Sequence, residues 1–310
     1  MVSIAEAPGK IIISGEHFVV HGSNALAAAI DKTVKVYSET SDKNSILSRV
    51  DNQVFNIRIK PINPVSVVRN KILEYLNRKE RIKITIESNI PRGSGLGSSS
   101  AISVATAASV ASLFGEKLDK KTLYNIAFEG EKIIHGNPSG IDVAASVYGG
   151  LILFNKNTVP TNIDLLNKLQ IIVSISGKTR QTSRMINHFT STSNKLPYHF
   201  QSLVHSSSVL THEAVNCLIT QDLEKLGAII NFYNSILSSF GLGTTITDRM
   251  IETCLEHGAY GAKITGAGGG GSIIAIAPLT KIKIIIDELN SLGFKTFSIE
   301  LPKQGVSFGK

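Results

Sequence analysis

Glycine is concentrated in three stretches of this chain, and the middle one constrains the fold most. Pro91-Arg-Gly-Ser-Gly-Leu-Gly-Ser-Ser-Ser100 follows residues 82–88, where Ile82, Ile84 and Ile86 alternate as in a strand. It leads directly into a run of small residues, about 99–114, that reads as a helix ending at Gly115. Glycines reach positive φ and let a backbone approach a ligand closely. The first N–H groups of a helix are unpaired and sit at its positive end. A strand, a glycine loop and a helix start in this order suit a phosphate, and Ser98 and Ser99 add hydroxyls fit for phosphate or Mg²⁺. No Gly-Lys-Ser/Thr follows the glycines, so this is not a Walker A loop, and it is not a clean dinucleotide fingerprint. The plain alternative is a tight turn ahead of a packed helix. The small side chains predict that this helix is central and buried.

The other two stretches flank it. Ala7-Pro-Gly-Lys10 precedes Ser14-Gly-Glu-His-Phe-Val-Val-His-Gly22. Lys10, after a Pro-Gly turn, can face a phosphate or lower the pKa of a nearby hydroxyl. Glu16 and His17 read as charged residues in an apolar strand, where they need partners that a polar substrate could supply. A strand edge with solvated charges is the alternative. Lys263-Ile-Thr-Gly-Ala-Gly-Gly-Gly-Gly-Ser272 runs into the apolar strand Ile273 to Ile276. Ordering so many glycines is entropically costly, which points to a packed loop at a ligand or at another loop rather than a free linker.

Two acids stand out. A helix from the N-cap Asp119 to about His135 carries an apolar stripe of Leu123, Ile126, Ala127 and Ile134. At ~100° per residue Glu131 falls at the edge of that stripe, while Glu129 and Lys132 fall away from it. An inward carboxylate wants a cation, and Mg²⁺ with nucleotide phosphates is a natural one. Asp142 follows the turn Asn137-Pro-Ser-Gly and enters the apolar stretch Val143 to Val147. Beside Lys10, a buried Asp142 would stay ionised and could accept a hydroxyl proton.

The rest of the chain bounds the class. With 310 residues, 42% hydrophobic and 18% charged, it can bury a large core. Cys217 and Cys254 lack disulfide-framework or metal-finger spacing, so a reducing cytoplasm is the default. No signal peptide or transmembrane run is read, so no membrane partner is expected. The net charge of +8 is scattered without interleaved aromatics, which argues against nucleic acid. The first 60 residues read as β-rich and 65–79 as a helix. After a boundary at 155–163 come a strand (169–175), a Ser/Thr-rich loop (189–195) and helices at about 200–219, 222–239 and 247–257. A strand (272–277), a helix (280–292) and a strand (295–301) close the chain. The class is α+β with two domains, 1–160 and 161–310.

Taken together, Pro8-Gly-Lys with Gly15-Glu-His and Val19-Val20, Gly93-Ser-Gly-Leu-Gly-Ser-Ser, and Lys263-Ile-Thr-Gly-Ala-Gly-Gly-Gly-Gly resemble the three motifs of the GHMP kinase superfamily. They occur in its order over nearly the whole chain. Val20-His-Gly and His135-Gly-Asn-Pro-Ser-Gly-Ile-Asp142 resemble its mevalonate kinase branch rather than galactokinases or homoserine kinases. The resemblance implies a GHMP fold, an N-terminal ribosomal protein S5 domain 2-like half and a C-terminal ferredoxin-like α/β sandwich, with the site between them. It implies ATP as co-substrate, Mg²⁺, and phosphorylation of the 5-hydroxyl of mevalonate. Asp142 would be the base or orienter and Lys10 its partner at the attacking oxygen. Ser99 and Glu131 would hold Mg²⁺. Gly93, Ser94, Gly95, Leu96, Gly97 and Ser98 would cradle the phosphates, joined by Ser99. Glu16, His17 and Thr182 would face mevalonate, and Arg180 could meet an anionic group. Ser100 and Ser272 depart from the usual Ala and Cys without removing a catalytic group. A related kinase acting on phosphomevalonate, which Lys178, Arg180 and Arg184 keep open, or on another small alcohol, and a silent sensor of the same fold are the competing readings. The oligomeric state is left open, a homodimer included.

Overall fold

The computed structural model describes residues 2–50, 53–56, 63–136, 138–165, 167–178 and 182–309, with 50, 53–56, 135, 182 and 183 described by backbone alone. The first sheet is built on two long strands, β1 (Val2–Ser14) and β2 (Ala25–Thr40), antiparallel along most of their length. To it belong β3 (Ser45–Val50), β4 (Gln53–Asn56), β5 (Ile82–Ser88), β6 (Leu151–Phe154) and β7 (Thr161–Ile163). β2 changes partner along its length: Ala25–Ala28 pairs with β6, and Val34–Thr40 with β5. Helices α1 (Pro64–Tyr75), α2 (Ser98–Leu113), α3 (Lys120–His135) and α4 (Ile141–Tyr148) accompany this sheet.

The central helix is α2, as its small residues predict. Its residues from Ser103 to Ala111 are all buried, and it packs on β1 and β2 as well as on α1, α3 and α4. Only Ala, Ser, Thr and Val let so many elements approach one helix at once. Asp119 caps α3, accepting the Thr122 N–H at 2.9 Å. Of the stripe expected on α3, Leu123, Ile126 and Ala127 are buried; Ile134 is exposed, because the last turn runs past the core.

The second sheet holds β8 (Gln170–Ile175), β9 (Gly261–Thr265), β10 (Ser272–Ile276) and β11 (Lys295–Glu300), with α5 (Thr182–Ser193), α6 (Pro197–Thr220), α7 (Leu223–Ser239), α8 (Thr245–Glu256) and α9 (Leu279–Ser291). Its spatial order is β11-β8-β10-β9, every neighbour antiparallel. That order, with helices between β8 and β9 and between β10 and β11, is the ferredoxin-like arrangement. Both faces are buried by alternate residues: Ile264 and Ile273 face one core, and Val173 and Ile274 the other. The chain leaves the first sheet only after β7, and its last strand, β12 (Ser307–Phe308), returns to pair with β1.

Three sequence expectations are corrected. Residues 189–193 are not loop but the end of α5, because Phe189 is buried and anchors that face. Phe18–His21 is a 3₁₀ turn rather than strand, bounded by Gly15 and Gly22, both at positive φ. Glu16 and His17 therefore lie in the turn after β1, not within it. Lys263, Ile264 and Thr265 form strand β9 before the glycine loop begins. The 3₁₀ turn drives Phe18 into the second half of the chain. Its ring is fully buried, meeting Phe189 at 5.3 Å and Phe240 at 5.9 Å, both edge-on.

Candidate active site

Lys10 is aimed by a break in the β1–β2 ladder. The register shifts between Pro8 and Lys10, at Gly9, and a bulge of this kind re-aims the next side chain. Gly9 is required there, since a Cβ would lie 2.6 Å from the Leu96 carbonyl oxygen. The buried Lys10 reaches Asp142 Oδ1 at 3.2 Å and donates to the Gly95 carbonyl at 3.1 Å. Its own N–H donates to the Leu96 carbonyl at 2.9 Å. The loop between β5 and α2 is thus stitched onto β1 at two adjacent carbonyls.

That loop alternates. Gly93, Gly95 and Gly97 all have positive φ and line a cleft of about 730 Å³ between the two halves of the chain. Ser94 and Leu96 turn inward and are buried. The expected cradle is therefore made of the glycines with Ser98 and Ser99, at the N-terminus of α2, where unpaired N–H groups and the helix dipole favour an anion. Gly97 packs on the Lys10 stem; a Cβ there would be 2.8 Å from Lys10 Cγ.

Opposite the loop, Ser99 Oγ donates to Glu131 Oε1 at 2.9 Å. Glu131 is buried, as its place at the edge of the apolar stripe predicts, and both residues line the cleft. Among the described residues no group of three His, Cys, Asp or Glu could hold a metal alone. One carboxylate and one hydroxyl beside a phosphate cradle nevertheless fit Mg²⁺, which takes few protein ligands and completes its shell with phosphates and water.

Asp142 sits in the first turn of α4, after Gly140 at φ 89°. It is 31% exposed, not buried, and its open side faces the cleft. Held by a lysine in a helix's first turn and open to the cleft, this carboxylate is placed to meet a hydroxyl group.

On the other wall, Glu16 is buried in an ion pair with the fully buried Lys263. Lys263 Nζ also donates to the Ile264 carbonyl at 2.7 Å and lies 5.7 Å from the Tyr233 ring centre. Burial pushes the Glu16 carboxyl up and the Lys263 ammonium down, and each charge holds the other back. Glu16 lines the cleft, and its second oxygen, Oε2, is buried with no hydrogen-bond partner. His17 has a positive φ of 61°, rare for a side chain of its size. Its Nε2 donates to the Ala267 carbonyl at 3.1 Å, and its ring stacks on Phe189 at 4.6 Å. Thr265 Oγ1 accepts the Ile12 N–H and donates to the Ile12 carbonyl, both at 3.0 Å, clasping β9 to β1.

Lys10, Asp142, Glu16, His17, Ser98, Ser99, Glu131 and the three loop glycines thus converge on one cleft. Thr182 opens α5, but its side chain lies outside the described residues, as do Asn137, Arg180 and the His135 side chain. Sequence reasoning assigned no role to Lys263 or Phe189. A single lysine inside Gly261-Ala-Lys-Ile-Thr265, otherwise small or apolar, was the available signal of a buried partner.

A glycine loop at a helix N-terminus, a Ser–Glu pair and a Lys–Asp pair thus meet in one cleft between two α+β halves, an arrangement that suits a phosphotransferase. The N-terminal domain model of the GHMP kinases matches residues 63–150, and the C-terminal model matches residues 214–295. A mevalonate kinase of Aeropyrum pernix is 32% identical, covering 97% of this chain and 96% of its own. The mevalonate kinase structure of Methanococcus jannaschii superposes with a TM-score of 0.82 at 27% identity, covering 96% of this chain and 98% of its own. That of L. major mevalonate kinase in complex with R-mevalonate gives 0.81 at 26%, covering 97% and 95%. The chain belongs to the GHMP kinases, ATP-dependent phosphotransferases. Within that family, these full-length relatives all carry the name mevalonate kinase.

Proposed function

We propose that this chain transfers the terminal phosphoryl group of Mg²⁺-ATP to the 5-hydroxyl of mevalonate. The observation that carries the reading is the Lys10–Asp142 pair, 3.2 Å apart, in one cleft with the glycine loop and the Ser99–Glu131 pair. Phosphoryl transfer asks a protein mainly for position and charge stabilisation. The loop N–H groups and the α2 N-terminus bind the phosphates. Asp142 orients the acceptor hydroxyl and takes its proton, while Lys10 steadies the oxygen as it gains charge. Ser99 and Glu131 would hold Mg²⁺, which when bound neutralises charge on the phosphates. His17, Glu16 with its unpartnered Oε2, and the apolar side chains of Val20, Ile186 and Phe189 would form the acceptor end.

Mevalonate is favoured over a phosphorylated acceptor because Lys10 is the one lysine or arginine among the described residues lining the cleft. The same reading makes the protein a cytoplasmic enzyme of isoprenoid synthesis. A coupled ADP-release assay tests it, with Mg²⁺-ATP and equal concentrations of mevalonate, 5-phosphomevalonate, galactose and homoserine. Turnover with mevalonate, abolished by EDTA, is expected. Turnover with 5-phosphomevalonate instead shifts the substrate. ATP binding without turnover on any of them turns the reading to a silent sensor.

A further inference from the structure

The phosphate loop is held by more than its own half of the chain. Three consecutive carbonyls, of Ser94, Gly95 and Leu96, are each gripped from outside the loop. Lys10 on β1 takes two of them, through Nζ at 3.1 Å and through its N–H at 2.9 Å. The third donor comes from the other sheet: Ser272 Oγ donates to the Ser94 carbonyl at 2.8 Å. Both serines are buried, Ser272 completely. Ser272 opens β10, an inner strand of the second sheet, where Thr265 flanks it on one side and Ile175 on the other. Its position is therefore fixed by two ladders.

In a trans peptide the C=O and the following N–H point in opposite directions. Holding the Ser94 oxygen in the protein interior sets the direction of the Gly95 N–H, and Gly95 lines the cleft while Ser94 does not. Ser94 Oγ, which donates to the Pro91 carbonyl at 2.7 Å, ties the loop only to itself. Left-handed glycines on either side would otherwise let this peptide rotate.

We propose that Ser272 is a positioning residue for the nucleotide: acting across the interface through the Ser94–Gly95 peptide, it presets the loop N–H that meets phosphate. The inference rests on the kinase reading of the cleft and adds that nucleotide affinity is set partly from the second sheet.

The test uses the full chain, as wild type, Ser272→Ala and Ser272→Cys. Mg²⁺-ADP binding is titrated calorimetrically, and initial rates are measured against ATP and mevalonate. Losing the hydroxyl is expected to weaken ADP binding and raise KM for ATP about five- to tenfold, the effect of one hydrogen bond. KM for mevalonate should stay within about twofold of wild type, and Ser272→Cys should fall between, because a thiol donates weakly. ADP binding by Ser272→Ala equal to wild type overturns the proposal. So does a parallel rise in both KM values with a fall in kcat, the mark of general loosening. If Ser272→Ala does not accumulate folded, Ser272→Cys decides by its ADP affinity: weaker supports, equal overturns. A wild type that binds ADP but phosphorylates no acceptor defeats the kinase reading alone, and the ADP titrations still decide the role of Ser272.

Discussion

Asp142 and Lys10 form the pair on which turnover should depend. Asp142→Asn keeps the shape and removes the proton acceptor. ADP binding should persist while kcat falls about 10²–10⁴-fold, the range for loss of a general base. Calorimetry beside steady-state kinetics checks both halves, and a near-wild-type kcat would remove Asp142 from its role. The Glu16–Lys263 pair makes a different demand. Breaking a buried pair leaves one charge uncompensated, so Lys263→Met should cost about 3–5 kcal/mol in chemical denaturation. Burial already pushes the Glu16 carboxyl up, and losing Lys263 removes the main opposing charge, leaving the Glu16 backbone N–H and the weaker effect of Lys10. The folded variant then keeps a proton that the unfolded chain releases, so its stability falls as pH rises above the ordinary carboxylate range. Urea midpoints at pH 5 and pH 8 should show the larger deficit, relative to wild type, at pH 8.

At the scale of elements, the start of α4 is the sensitive joint. Gly140 has φ 89°, and a Cβ there would lie 2.0 Å from Tyr124 Oη, on a ring stacked against Phe128. Gly140→Ala should therefore shift the helix start that carries Asp142, lowering kcat with little change in KM for ATP. Adding Tyr124→Phe relieves the collision but not the left-handed backbone, which costs about 1–2 kcal/mol. The double variant should recover part of the lost kcat, and no recovery would show that the clash is not the cause. This joint was half legible. The Asn-Pro-Ser-Gly turn announced a fixed direction for Asp142, but no residue nearby disclosed that Tyr124 closes over Gly140. The elements α1, α3 and β5 were readable because their periodicity is local, and α2 because its run of small residues ends at Gly115. The 3₁₀ turn at Phe18–His21 and strand β9 were not, because long-range partners decide them: the aromatic cluster that receives Phe18, and Glu16 for Lys263. The last turns of α5 were hidden by serines and threonines whose helix is held by the burial of Phe189.

Across the whole molecule, the two sheets meet along β1. Thr265 clasps it from β9, Ser272 reaches the loop stitched onto it, and Phe18 plugs the turn that follows it. Its outer edge is covered by β12, and the segment before β12 packs on the end of α4: a Cβ on Gly305 would lie 2.1 Å from the Val147 carbonyl oxygen. Deleting residues 304–310 should lower the melting temperature, expose a strand edge and promote aggregation. Calorimetry with light scattering measures both; an unchanged melting temperature would show that β12 is dispensable.

That pairing also sets a timetable. Ala5 lies opposite Phe308, so about 300 residues of chain must be made between one partner and the other. At the usual ~5–20 residues per second, β1 waits roughly fifteen seconds to a minute for its outer neighbour. Until β12 arrives, the edge at Ala5 and Glu6 lacks its partner, and a chaperone or another nascent chain can reach it first.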